Sequence, residues 1–95
     1  MAYFAVQYVY SNDAELVARV RPDHRSYLRT LVEAGTLKAS GPYVGVQRDS
    51  ALLVFSADDA DQVRALIAQD PMSLNNVLES FTVTQWNPLL GVFAS

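Results

Sequence analysis

His24, in the stretch Arg21-Pro22-Asp23-His24-Arg25, is the one histidine of the 95-residue chain, and there is no cysteine. An unperturbed imidazole titrates at roughly pH 6.5, so it can take or give a proton near neutrality without help. Hydrolysis through a covalent intermediate needs more than that. No thiol exists here, and no serine sits in a nucleophile-elbow setting. One histidine with dispersed carboxylates does not make a dedicated metal site, and no cofactor is implied. Proton transfer is the chemistry these residues suit, against the alternative that His24 is a hydrogen-bonded core residue.

What must position His24 is a helix. Pro22 suits a first turn, where its missing N–H would be unsatisfied anyway, and Gly35 suits the left-handed residue that ends a helix, so the spacing predicts a helix from Pro22 to about Ala34. Its apolar stripe is Leu28, Leu31 and Val32, flanked by Tyr27. His24 precedes Leu28 by four residues and Leu31 by seven, which aims it along the stripe and inward. Arg25 and Arg29 fall on the other flank, as a solvated face. Arg21, restrained by Pro22, orients the helix start or binds an anionic substrate group.

Around this helix the chain reads as alternating elements. Tyr3 to Tyr10 is rich in β-branched and aromatic residues, with Phe4, Val6, Tyr8 and Tyr10 on one face, and predicts a central strand covered on both faces. Ser11-Asn12-Asp13 supplies turn and capping chemistry, followed by a helical turn or two through Val20. Leu37 to Val46 predicts a second strand bent or bulged at Gly41-Pro42, which exposes backbone near Ser40 and Tyr43. Ser40 reads as a bulge residue and Tyr43 as an aromatic wall with a hydrogen-bond donor. Ala51 to Phe55 completes a hairpin. A second helix capped by Asp58 buries Ala60, Val63, Leu66 and Ile67, and stops before Pro71. Residues 70–80 read as a loop or single helical turn, and Phe81 to Trp86 as a fourth strand. The order strand, helix, strand, strand, helix, strand is that of an α+β, ferredoxin-like βαββαβ fold: four antiparallel strands with both helices on one face.

Composition narrows the partners. The length fits one domain, residues 1–95, yet 51% of residues are hydrophobic, with five Tyr, four Phe and one Trp. That is more apolar area than a lone small domain hides easily, and a homodimer or higher homo-oligomer is expected, through the open sheet face or a pocket at the subunit junction. The apolar tail after Trp86 is expected to dock on the body or on a partner chain. The net charge of −3 and scattered basic residues give no footprint for nucleic acid. No apolar run reaches the ~20 residues of a membrane span, and the first residues lack a secretory pattern, so a cytoplasmic protein is expected.

The segments RPDHRSYLRTLVEAGTLKASGPY, ALLVFSADDADQVRALIAQDPM and FTVTQWNP together resemble the YciI-related (YCII) family of small bacterial proteins. The most specific marks are RPxH at the helix start, SGP in the second strand and DP after the second helix, in that order and spacing. The resemblance implies a dimeric α/β-barrel type of ferredoxin-like fold, related to that of muconolactone isomerases, with a catalytic histidine–aspartate pair in a pocket. Carried over residue by residue, the pair is His24 and Asp70. Ser40, Tyr43, Arg21 and Met72 make up the expected substrate-binding set, Met72 standing where an aromatic residue often follows DP. Read from its own position, Asp70 is an aspartate before proline, a residue that commonly caps or turns the backbone. The activity implied is cofactor-independent proton abstraction on a small cyclic or aromatic compound, most concretely elimination of HCl from a chlorinated hydroxyhydroquinone. Isomerisation of a lactone uses the same pair, and a non-catalytic ligand-binding or accessory role is the rival.

Overall fold

The structure is a computed structural model that describes residues 1–94. The chain runs β1 (Ala2–Tyr10), α1 (Ala14–Glu33), β2 (Leu37–Pro42), β3 (Ser50–Ala57), α2 (Ala60–Ala68), α3 (Pro71–Leu74) and β4 (Leu78–Trp86). The strands form one antiparallel sheet in the order β2-β3-β1-β4, the ferredoxin-like arrangement with β1 and β3 central. Period-two alternation sends Phe4, Val6, Tyr8 and Tyr10 of β1 to the face covered by the helices, where all four are buried. Leu53 and Phe55 of β3 join them opposite Val6 and Phe4. The second face of β1 is only partly covered in the single chain, with Ala5 and Val9 half-buried and Gln7 exposed.

α1 is longer than expected. It starts at Ala14, capped by Asp13, whose carboxylate accepts the Leu16 N–H at 3.1 Å, and it runs through Pro22 rather than beginning there. The reason is a continuous buried stripe: Val17, Val20, His24, Leu28 and Leu31, spaced by three and four residues. An interior proline costs about 3 kcal/mol. Burying four Val or Leu side chains at about 1.5–3 kcal/mol each outweighs it. Pro22 itself lies on the exposed side of the helix, where water can serve the carbonyl that loses its N–H partner. The helix ends as the glycine implied: Gly35 has φ 79°, with Thr36 N–H on the Leu31 carbonyl and Gly35 N–H on that of Val32, both at 3.0 Å.

Other boundaries shift for local reasons. The cap of α2 is Asp59, which accepts Gln62 N–H at 2.8 Å, and not Asp58, whose own N–H donates to the Gln62 side chain. β2 stops at Pro42 instead of reaching Val46, because its partner β3 begins at Ser50, whose carbonyl accepts the Tyr43 N–H at 2.9 Å as the last bond of the pair. β4 begins three residues earlier than expected, at Leu78. Beyond Trp86 the tail docks chiefly through Phe93, with Pro88 and Ala94 half-buried. Phe93 stands edge-on to Tyr3 at 5.8 Å and to Trp86 at 6.0 Å, while Leu89, Leu90 and Val92 stay exposed. Among the described residues no helix is long and apolar enough to cross a membrane.

Candidate active site

Asp70 occupies the N-cap of α3, just before Pro71, and is fully buried. Its Oδ1 accepts the Met72 N–H at 3.0 Å, the capping role expected of an aspartate before proline. The same carboxylate reaches the middle of α1, where His24 Nδ1 lies 2.8 Å from Oδ1 and 2.9 Å from Oδ2. Tyr8, from β1, donates its hydroxyl to Oδ2 at 2.9 Å. Three elements distant in sequence therefore converge on one carboxylate, which accepts from an amide, a phenol and an imidazole.

That pattern fixes the imidazole. A carboxylate facing Nδ1 holds the proton on that nitrogen, so the neutral ring carries its free lone pair on Nε2. The ring is clamped between Tyr8 at 6.1 Å and the edge of Tyr10 at 6.3 Å, measured between centroids, and is 7% exposed. Burial raises the Tyr8 hydroxyl far above the ordinary tyrosine range, and the negative charge of Asp70 adds to it. Tyr10 is pushed up to about 12, chiefly by burial, with Asp70 and Asp49 adding and Arg21 and Arg25 opposing. Both phenols stay neutral at physiological pH, and that of Tyr8 donates to Asp70.

His24 opens onto a cavity of about 420 Å³ between α1 and the β2–β3 side of the sheet. Leu28, Leu37 and Ala51 give it apolar surface, while Tyr10, Arg21, Arg25, Arg29, Ser40 and Asp49 give it polar groups. Asp70 does not reach the cavity; it stands behind His24, against Nδ1. Arg21 lines the wall with its guanidinium held by Asp49 at 3.0 Å. Arg25 and Arg29, read as a solvated face, are exposed but border the cavity as well.

Ser40 reaches the cavity because of a register shift. Leu37 pairs with Phe55, but Ala39 pairs with Val54 and Ser40 with Leu53, so an extra residue is accommodated between Leu37 and Ala39. One such slip exchanges the two faces of the following strand. It turns Ser40 toward the helices, and it lies earlier than the bend expected at Gly41-Pro42. Tyr43 goes the other way. Three residues beyond Ser40 on an extended chain is the opposite face, and the Tyr43 hydroxyl donates to Gln7 Oε1 at 3.2 Å on the side without helices. Met72 is also outside the cavity, since the turn of α3 that makes its N–H available to Asp70 packs its side chain fully into the core.

Tyr8, Tyr10, Arg25, Arg29 and Asp49 surround His24 or its cavity and were not among the expected site residues: the arginines were read as a solvated face and the tyrosines as a strand face. A signal existed for the tyrosines. Two phenols on the dry face of a central strand must find partners or open space, and a buried carboxylate is one such partner. Among the described residues no cluster of three or more His, Asp or Glu side chains could hold a metal ion.

Residues 1–87 match the model of the YCII-related domain. The chain belongs to the YCII-related family. No curated protein matches the YCII-related chain in sequence, but solved structures do in fold. The 5-chloro-2-hydroxyhydroquinone dehydrochlorinase of Burkholderia phenoliruptrix, solved with 2,5-dihydroxybenzoquinone, superimposes with a TM-score of 0.77 at 17% identity, over 90% of this chain and 93% of that one. Muconolactone isomerase gives 0.67 at 15% identity, over 100% and 97%. An antibiotic biosynthesis monooxygenase gives 0.59 at 14%, over 93% and 98%. At such identities the likeness concerns the fold, which this YCII-related protein shares with enzymes of different chemistry.

Proposed function

We propose that this protein is a cofactor-independent lyase that eliminates HCl from a chlorinated hydroxyhydroquinone, with His24 as the proton carrier. The observation that supports this most is the pairing of His24 Nδ1 with the buried Asp70 carboxylate, at 2.8 and 2.9 Å, in a residue that lines an open, partly apolar cavity. Nε2 takes the proton of a ring hydroxyl. The resulting phenolate pushes electron density into the ring, and the chlorine-bearing carbon gains a proton and becomes tetrahedral. Chloride leaves with its bonding pair as a second hydroxyl oxygen becomes a carbonyl. Two hydroxyl protons have left oxygen; one is on carbon and the other departs with chloride, giving HCl and a hydroxyquinone. Asp70 stabilises the imidazolium formed on the way, and Tyr8 keeps the carboxylate in place. The structural likeness to a dehydrochlorinase at 17% identity supports the choice of substrate class.

The working unit in this reading is a homodimer. The face of the sheet without helices presents Leu52, opposite Gln7, and Trp86, opposite Tyr3, both substantially exposed in the single chain. A second copy packed sheet to sheet would cover them.

Wild type and His24→Ala are to be compared for chloride release and quinone absorbance across chlorinated hydroxyhydroquinones and lactones. Turnover of the former by wild type alone supports the lyase. Turnover of lactones alone makes it an isomerase, and ligand-induced thermal stabilisation without turnover makes it a binding module.

A further inference from the structure

The chain has seven basic residues and a net charge of −3, yet three of its arginines line the cavity beside His24. They recur every fourth residue of α1, a step of about 6 Å along the helix, and so form a row on one flank. Arg21 is neutralised by Asp49 at 3.0 Å. Arg25 and Arg29 form no ion pair among the described residues, although acidic groups outnumber basic ones in the chain. Asp49 is the one carboxylate on the cavity wall and is already engaged. Two guanidinium groups without a carboxylate partner, on the wall of a partly apolar cavity beside His24, give that wall a local positive charge that suits an anion.

We infer that the cavity takes a ligand carrying an anionic substituent, a carboxylate or phenolate, held by Arg25 and Arg29. The inference rests on the lyase reading only in placing the reacting hydroxyl at His24. Leu28 and Leu37 contact the ring, Arg25 and Arg29 grip the charged substituent, and the hydroxyl to be deprotonated lies toward the His24 end of the row. Planar guanidinium groups suit a carboxylate through paired N–H donors, and two of them fix its orientation as well as its charge. The anchor selects which ring hydroxyl meets Nε2, so Arg25 and Arg29 set specificity while His24 moves the proton.

The probes are 2,5-dihydroxybenzoate, anionic at neutral pH, and hydroquinone, its uncharged relative, titrated calorimetrically into wild type, Arg25→Gln/Arg29→Gln, His24→Ala and the distant Arg64→Gln. Both arginines are solvent-accessible, so the expected preference is moderate: about tenfold tighter binding of the anion in wild type, shrinking as salt is raised. The preference should vanish in the double variant and persist in His24→Ala and Arg64→Gln. Equal affinity for the two probes in wild type, or a preference untouched by the double substitution, overturns the inference. Anion preference without turnover of any chlorinated ring removes the lyase and leaves this site standing. Turnover of charged and uncharged rings with equal KM removes the anion site alone.

Discussion

The hydroxyl of Tyr8 and the carboxylate of Asp70, 62 residues apart in the chain, meet at 2.9 Å inside the core, with the His24 ring on the same carboxylate. Removing that hydroxyl leaves a buried acceptor short of a donor, which costs about 1–3 kcal/mol. Tyr8→Phe is therefore expected to lower stability by that amount in urea unfolding while keeping the fold. Because the carboxylate is then less firmly held, kcat should also fall, with KM little changed.

Asp70→Asn separates capping from catalysis. Asparagine caps a helix about as well as aspartate, so the start of α3 should persist. An amide cannot supply the negative charge that stabilises an imidazolium, and turnover is expected to drop by about 10²-fold or more. ¹⁵N NMR of the imidazole checks the cause: the wild type should show the Nδ1-protonated tautomer, and Asp70→Asn a mixture.

Alkaline stability follows from the tyrosines. Tyr10 is raised from 10.0 to about 12, and Tyr8 also lies above the ordinary value. Above pH 10 the unfolded chain releases these protons while the folded chain keeps them, so the unfolded state binds fewer and stability falls as pH rises. The contribution is fully present below pH 10 and is lost progressively toward pH 12 and beyond. Tyr10→Phe should flatten the part of this decline between pH 10 and 12 in thermal melts. An unchanged slope would show that Tyr10 does not titrate in that window.

Pro22 lies in the interior of α1 and not at its start. Replacing it with alanine restores an N–H to the helix ladder and relieves the ring's clash with the preceding turn. Pro22→Ala should raise stability by about 1–3 kcal/mol, seen as a higher urea midpoint at unchanged m-value.

Much of this architecture was legible because burial enforces period. The 3.6-residue stripe through His24, Leu28 and Leu31 and the period-two face of β1 are imposed by the same core, and Gly35 ends the helix where only a left-handed residue serves. The start of α1 was misplaced because Pro22 is a local signal, and tertiary burial of Val17 and Val20 overrode it. Ser40 and Tyr43 looked like neighbours in a pocket. On a strand their odd spacing puts them on opposite faces, and the register shift that decides which one faces His24 leaves no mark in composition. Arg25 and Arg29 read as solvent-facing because helix periodicity places a flank but does not say that β2 stands across a cavity from it. His24 was read both as a core residue and as a base, and its geometry is compatible with both: nearly buried, yet at the cavity wall.

The dimer proposed through the open sheet face is checked by light scattering at micromolar concentration, where twice the monomer mass is expected. Trp86→Glu should lower the mass by placing charge on that face. Deleting the residues after Trp86 should reduce the melting temperature, because Phe93 no longer packs on Tyr3 and Trp86.

The most direct measurement is chloride released per active site from a chlorinated hydroxyhydroquinone by wild type and by His24→Gln, whose folding is verified by circular dichroism. With His24 as the proton carrier, wild type turns over repeatedly and His24→Gln loses about 10²–10⁴-fold in kcat. Equal rates in the two proteins would contradict a catalytic role for His24.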